Sequence, residues 1–151
     1  MVRNDPAQPG AELSFPALLR AARSATGRRI RSALEEAGYG DLPANGPYVL
    51  GAMAAAGVPL SAIIEHLRLS KQAAGHLVDL LVLRGYLERH VDPDDRRRLL
   101  VRATARGDAA ALVVRRTIDE LESRLASKVG PADLAATRRT LQWLAAGTDD
   151  A

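Results

Sequence analysis

Residues 70–107 read SKQAAGHLVDLLVLRGYLERHVDPDDRRRLLVRATARG, and the hydrophobic period changes twice within them. Ser70 can cap a helix whose Ala74, Leu77 and Leu81 recur at spacings of 3 and 4, the signature of one buried helical face. Gly85 follows Arg84 where a helix end favours glycine. The period then shortens. Tyr86 to Val91 and Leu99 to Ala103 each read as a strand, and Asp92-Pro93-Asp94-Asp95 between them is dense in turn formers. A polar tip between two short strands predicts a hairpin, and its far flank carries Arg96, Arg97 and Arg98. Thr104 is placed to cap the helix that begins at Ala105.

Working outward, Ser61 to Leu67 reads as a short helix, separated from the next by Arg68-Leu69-Ser70. Two helices joined so tightly form a helix-turn-helix. Upstream, the pattern predicts a helix from about Asn45 to Ala56, stopped by Gly57-Val58-Pro59. An earlier helix is predicted from about Ser14 to Ala37, with Pro16 in its first turn and Gly27 as an interruption. Downstream, the helical period lasts to Val129, with Val114, Ile118, Leu121 and Leu125 spaced as a coiled-coil-like seam. Gly130-Pro131 breaks it, and a last helix covers about Ala132 to Ala146 with Leu134, Leu141 and Leu144 on one side. Residues 1–12 are rich in Pro, Gly and polar groups and read as a disordered tail.

The composition suits this mostly helical reading. Ala supplies 28 and Leu 22 of 151 residues, while aromatics are only 3%. No cysteine is present, which excludes disulfides, thiolate metal sites, cysteine nucleophiles and thiol sensing. No apolar run approaches the roughly 20 residues of a membrane span. No secretory signal is expected at the N-terminus, so the expected setting is cytoplasmic. The net charge of +3 is unevenly spread. Residues 1–67 sum to zero, residues 68–106 to +4, and residues 107–151 to −1. Positive potential concentrated on the helix-turn-helix and hairpin is what a phosphate-binding surface needs.

The helix from Ser70 also divides by face. Opposite the apolar positions lie Lys71, Gln72, Gly75, His76 and Asp79. Lys71, Gln72 and His76 occupy the first two turns, where a helix docked in a major groove touches bases. Gln can pair with adenine through two hydrogen bonds, and Lys can reach guanine or a phosphate. Gly75 leaves the backbone free to come close to DNA. The candidate DNA-binding residues are therefore Ser70, Lys71, Gln72, Gly75, His76, Arg96, Arg97 and Arg98.

The run from Ser70-Lys71-Gln72 through Arg84-Gly85-Tyr86-Leu87-Glu88-Arg89 to Asp92-Pro93-Asp94-Asp95-Arg96-Arg97-Arg98 and Thr104-Ala105-Arg106-Gly107 resembles the MarR family of bacterial transcription regulators. The resemblance implies a mostly α fold with a small β-hairpin wing. It implies one domain over 13–151, with a winged helix-turn-helix at about 43–104 and dimerisation helices at about 14–38 and 105–146. It further implies a homodimer on double-stranded DNA, a repressor role, and release by a small aromatic or lipophilic effector. Carried over by position, Asp95 would pair with Arg97 and orient the wing. Leu18, Val114, Ile118, Leu121, Leu125 and Leu141 are the candidate dimerisation residues. Arg68 stands at a turn position where the family usually has Gly, and a left-handed conformation there would cost about 1–2 kcal/mol. Leu80 and Leu83 replace polar residues usual on the recognition helix, and Ala103 a usual Leu.

Competing readings are weaker. A calcium loop starting at Asp92 would want Gly where Arg97 stands, and the neighbouring arginines oppose a cation. His76 and Asp79 lack a third ligand, so no metal or cofactor is expected. No catalytic motif is present, so an enzyme is not expected. The alternative from another class is a winged-helix protein-interaction module that has lost DNA binding. Tyr39, Tyr48 and Trp143 are the aromatics that could line an effector pocket, core packing being the commoner role.

Overall fold

The structure, a computed structural model, describes residues 13–53, 58–97 and 99–147. The N-terminal tail, the end of the second predicted helix and Arg98 lie outside the described residues. Six helices and three strands follow one another: α1 (Phe15–Glu36), α2 (Gly46–Ala52), β1 (Val58–Pro59), α3 (Leu60–Leu67), α4 (Lys71–Leu83), β2 (Leu87–Val91), β3 (Leu99–Ala103), α5 (Ala105–Val129) and α6 (Pro131–Ala146).

Two caps act as their sequences predict. Ser70 Oγ accepts from the Ala73 N–H at 3.2 Å, and Thr104 Oγ1 accepts from the Gly107 N–H at 3.1 Å. Other expectations need correction. Ser14 precedes α1 but makes no side-chain cap bond. Gly27 does not interrupt α1, which runs unbroken through it. Ser61 lies inside α3, whose cap position is Pro59. Arg68 ends α3 at φ 50° and ψ 39°, the left-handed conformation, and its guanidinium donates to the Ala145 carbonyl in the last turn of α6.

The sheet has one strand more than the hairpin. Val58–Pro59 pairs antiparallel with β3, giving the order β1-β3-β2. Pro59 can sit there because β1 is an edge strand, where a missing N–H is tolerated. In the hairpin Leu87 faces Ala103, Arg89 faces Val101 and Val91 faces Leu99. The apolar face of that register is buried at the base, at Leu87 and Val101, and exposed at the tip, at Val91 and Leu99.

One core collects Ile30 and Leu34 of α1, Val49 and Leu50 of α2, Ile63 of α3, Leu77, Val78 and Leu81 of α4, and Ala110, Ala111 and Val114 of α5. Each large apolar side chain buried there contributes about 1.5–3 kcal/mol. Val114, only 5% exposed, is thus a core residue of its own subunit, which corrects its assignment to an interface between copies. Along the same seam Ile118 is half-buried at the core's edge, Leu121 is half-buried, and Leu125 is exposed. The N-terminal half of α1 and all of α6 contribute no buried residue. Leu18 and Leu141 are exposed and line, with Phe15, an apolar cleft of about 470 Å³ between the two helices.

Candidate nucleic-acid interface

Helix α4 presents one face to the core and one to solvent. Ala74, Leu77, Val78 and Leu81 are buried, while Lys71, Gln72, His76 and Asp79 are exposed. The buried set fixes the helix, and the exposed set begins in the first turn, where Ser70 holds the chain in cap geometry. Gly75 is half-buried, and a methyl group added there would meet open space. Nothing within the subunit requires glycine at that position. Leu83 is 82% exposed at the far end of the helix, and Leu80 is half-buried.

Asp79 would oppose a phosphate, but it is paired. The Arg89 guanidinium of β2 donates to its Oδ1. The pair neutralises the one acidic group on the exposed face of α4 and ties that helix to the wing. Lys71, Arg96 and Arg97 make no ion pair among the described residues and keep their charge available.

The wing tip is organised by two aspartates. Asp92 Oδ1 accepts from the Asp94 N–H at 2.9 Å, and Asp95 Oδ1 accepts from the Arg97 N–H at 3.0 Å. Such turns are a regular use of Asp, whose short side chain reaches a backbone amide two residues on. Asp95 therefore meets Arg97 through the backbone amide and not through the guanidinium, which corrects the expected side-chain pairing. The consequence is an exposed Arg97 side chain on a braced backbone. On the strand below, His90 Nε2 lies 2.6 Å from Glu88 Oε1.

The hairpin is anchored at its base by a cluster that sequence reading missed. Tyr86 is fully buried, and its hydroxyl donates to Asp41 Oδ1 at 2.5 Å. Arg106 Nη2 donates to the same carboxylate oxygen at 2.8 Å and to the Tyr86 hydroxyl at 3.1 Å. Its guanidinium lies over the Tyr86 ring, 4.6 Å from the centroid. Arg84 adds a bond to the Asp41 carbonyl. The Tyr86 hydrogen bond and then the Arg106 charge hold the Asp41 carboxyl below its ordinary value. Burial, followed by the Asp41 hydrogen bond, pushes the Tyr86 phenol up. Asp41 belongs to the α1–α2 connector, Tyr86 to the end of α4, and Arg106 to the first turn of α5. Nothing in their spacing of 45 and 20 residues announces the meeting.

Of the aromatics considered for an effector pocket, Tyr39 and Tyr48 line a small apolar pocket between α1 and the start of α2. Trp143 lies elsewhere, 66% exposed on α6. No described helix is long and apolar enough to cross a membrane.

A model of the MarR family matches residues 41–98. No curated protein matches the sequence. Among solved structures the chain is similar to the S. aureus MepR–DNA complex, at 20% identity and a TM-score of 0.74, over 89% of this chain and 98% of that one. It is similar to CouR from Rhodococcus jostii RHA1 bound to p-coumaroyl-CoA, at 26% identity and a TM-score of 0.74, over 89% and 94%. A MarR-family transcriptional regulator from Rhodococcus sp. RHA1 is similar at 25% identity and a TM-score of 0.72, over 92% and 100%.

Proposed function

The winged-helix segment of this chain belongs to the MarR family, and on that footing we propose that the chain is a sequence-specific DNA-binding transcriptional regulator. It acts as a homodimer and a repressor on a pseudo-palindromic operator, and a small-molecule effector releases it. One observation carries the reading: the solvent face of α4 begins at a capped N-terminus with Lys71, Gln72 and His76 exposed, beside a braced wing with Arg96 and Arg97 unpaired. The first turn of α4 points N–H groups outward at a positive helix end, which suits a phosphate. Gln72 and His76 lie one turn apart and reach base edges in a major groove. Ser70 sets the start of that helix, and Gly75 allows close approach. The wing arginines, Arg98 included, enter the flanking minor groove or hold its phosphates.

Dimerisation supplies what one chain lacks. Leu18, Leu125 and Leu141 are apolar and exposed on α1, α5 and α6, and a second copy would cover them. Ile118 and Leu121 border that surface. MepR, similar in fold, was solved with DNA, and CouR with p-coumaroyl-CoA, which supports both the DNA reading and an effector. The test is a shift assay on fragments from the gene's own upstream region, titrated with salt. Binding that is specific and falls steeply with salt supports the regulator. Absence of binding at low salt overturns it in favour of a protein-interaction module.

A further inference from the structure

Helix α1 carries five arginines between Arg20 and Arg31 and no acidic residue before Glu35. Arg29 turns toward Glu120 of α5, 3.9 Å away. Arg28 donates to Ser24 Oγ at 2.7 Å. Arg20, Arg23 and Arg31 have no ion-pair partner among the described residues. With Arg28 they line an open cleft of about 520 Å³ whose other wall is Asn45 and Tyr48 of the α2 start. No carboxylate lines it. Beside it lies the apolar pocket of about 60 Å³ walled by Ile30, Leu34, Tyr39 and Leu42. Gly27, Arg31, Ala44 and Tyr48 line both. Gly27 sits mid-helix against its low helix propensity, and a methyl group there would meet nothing within 4 Å. Its missing side chain is the notch between basic cleft and apolar pocket.

We propose that this paired cleft and pocket bind an organic polyanion with a small apolar head, of the acyl coenzyme A class. The inference rests on the effector reading above and names the ligand's chemistry. Guanidinium groups match phosphate oxygens through two parallel hydrogen bonds. From Arg20 to Arg31 the helix rises about 16 Å, further than one phosphate can bridge, so the anionic groups must be spread along a tail. A DNA backbone could meet these arginines but would leave the pocket behind Gly27 unfilled. The cleft also reaches the recognition helix. Ala44 and Asn45, which line it, are joined by Pro43 in lining a second groove with Ala73, His76 and Leu80 of α4. A ligand lodged there presses on the segment that backs α4.

Calorimetric titration of the full chain without DNA tests this with benzoyl-CoA, coenzyme A and benzoate. Benzoyl-CoA is expected to bind tightest and benzoate weakest. The double variant Arg20→Gln, Arg23→Gln changes only exposed side chains, and an unchanged thermal midpoint confirms its fold. It should weaken benzoyl-CoA and coenzyme A by about tenfold or more and leave benzoate unaffected. Gly27→Leu should close the notch and erase the preference for benzoyl-CoA over coenzyme A. Failure of both coenzyme A ligands to bind at millimolar concentration overturns the proposal, as does unchanged affinity in the double variant. Loss of DNA affinity in that variant, with no coenzyme A binding, assigns the arginines to the phosphate backbone instead. Benzoyl-CoA that binds yet leaves operator affinity unchanged contradicts the effector reading and not the site.

Discussion

A Cβ placed on Gly107 would stand 2.1 Å from the Tyr86 carbonyl oxygen, a contact between backbone atoms that no rotamer relieves. The first turn of α5 is thereby pressed onto the end of α4, with Thr104 N–H donating to the same carbonyl at 3.0 Å. Gly107→Ala should cost about 3 kcal/mol or more, or abolish folding, read as the urea midpoint. An unchanged midpoint would show that the junction can relax. Asp41 gives a pH prediction. Its folded carboxyl titrates below the ordinary 3.8, so its stabilisation is complete above that value and is lost as pH falls through the lowered one. Asp41→Asn should therefore be less stable than the parent near neutrality, and the gap should narrow at about pH 3. A gap that is constant with pH would deny the charge a role. The caps at Ser70 and Thr104 were legible because a cap is a local bond between residues 3 apart. The Asp41–Tyr86–Arg106 cluster was not, because it joins three distant segments by tertiary packing alone.

At the scale of elements, α4 and the wing act as a rigid pair, joined by Arg89 and Asp79. The two should separate in their effects on binding. Gln72→Ala should relax preference at one base pair per half-site, whereas Lys71→Ala should weaken all sequences about equally and lower the salt slope by about 1. Binding selection on a randomised duplex distinguishes them, and an unchanged motif for Gln72→Ala would move base reading elsewhere. Arg97→Ala should weaken operator binding by about 1–3 kcal/mol with the thermal midpoint unaltered. Equal affinity at moderate salt would remove the wing from the interface. The hairpin was legible from its turn chemistry and its change of period. Strand β1 was not, since two residues ending in Pro carry no period and their pairing depends on β3, some 40 residues away. Helix α1 hid a different feature. Charge summed over residues 1–67 is zero, yet its arginines and acids lie on separate stretches, so the sum conceals a basic face.

On the whole molecule, one chain leaves apolar side chains of α1, α5 and α6 uncovered, and α6 buries no residue at all. The coiled-coil-like seam read from α5 was only partly an interface signal, because heptad spacing is the same whether a stripe packs on its own chain or on another. Val114 turns inward and Leu125 outward. Leu18→Asp with Leu141→Asp touches neither residue's own core, so it should yield a folded monomer by sedimentation, while the parent sediments as a dimer. A parent monomer would refute the assembly. The central claim is that two copies of the capped α4 and braced wing read one two-fold symmetric duplex. The most direct measurement is selection of bound duplexes from a random pool, with the mass of the complex on the selected sequence. The account predicts an inverted repeat whose half-sites lie about one helical turn apart, bound by two chains. A pool that enriches no sequence, or a motif without two-fold symmetry bound by one chain, would contradict it.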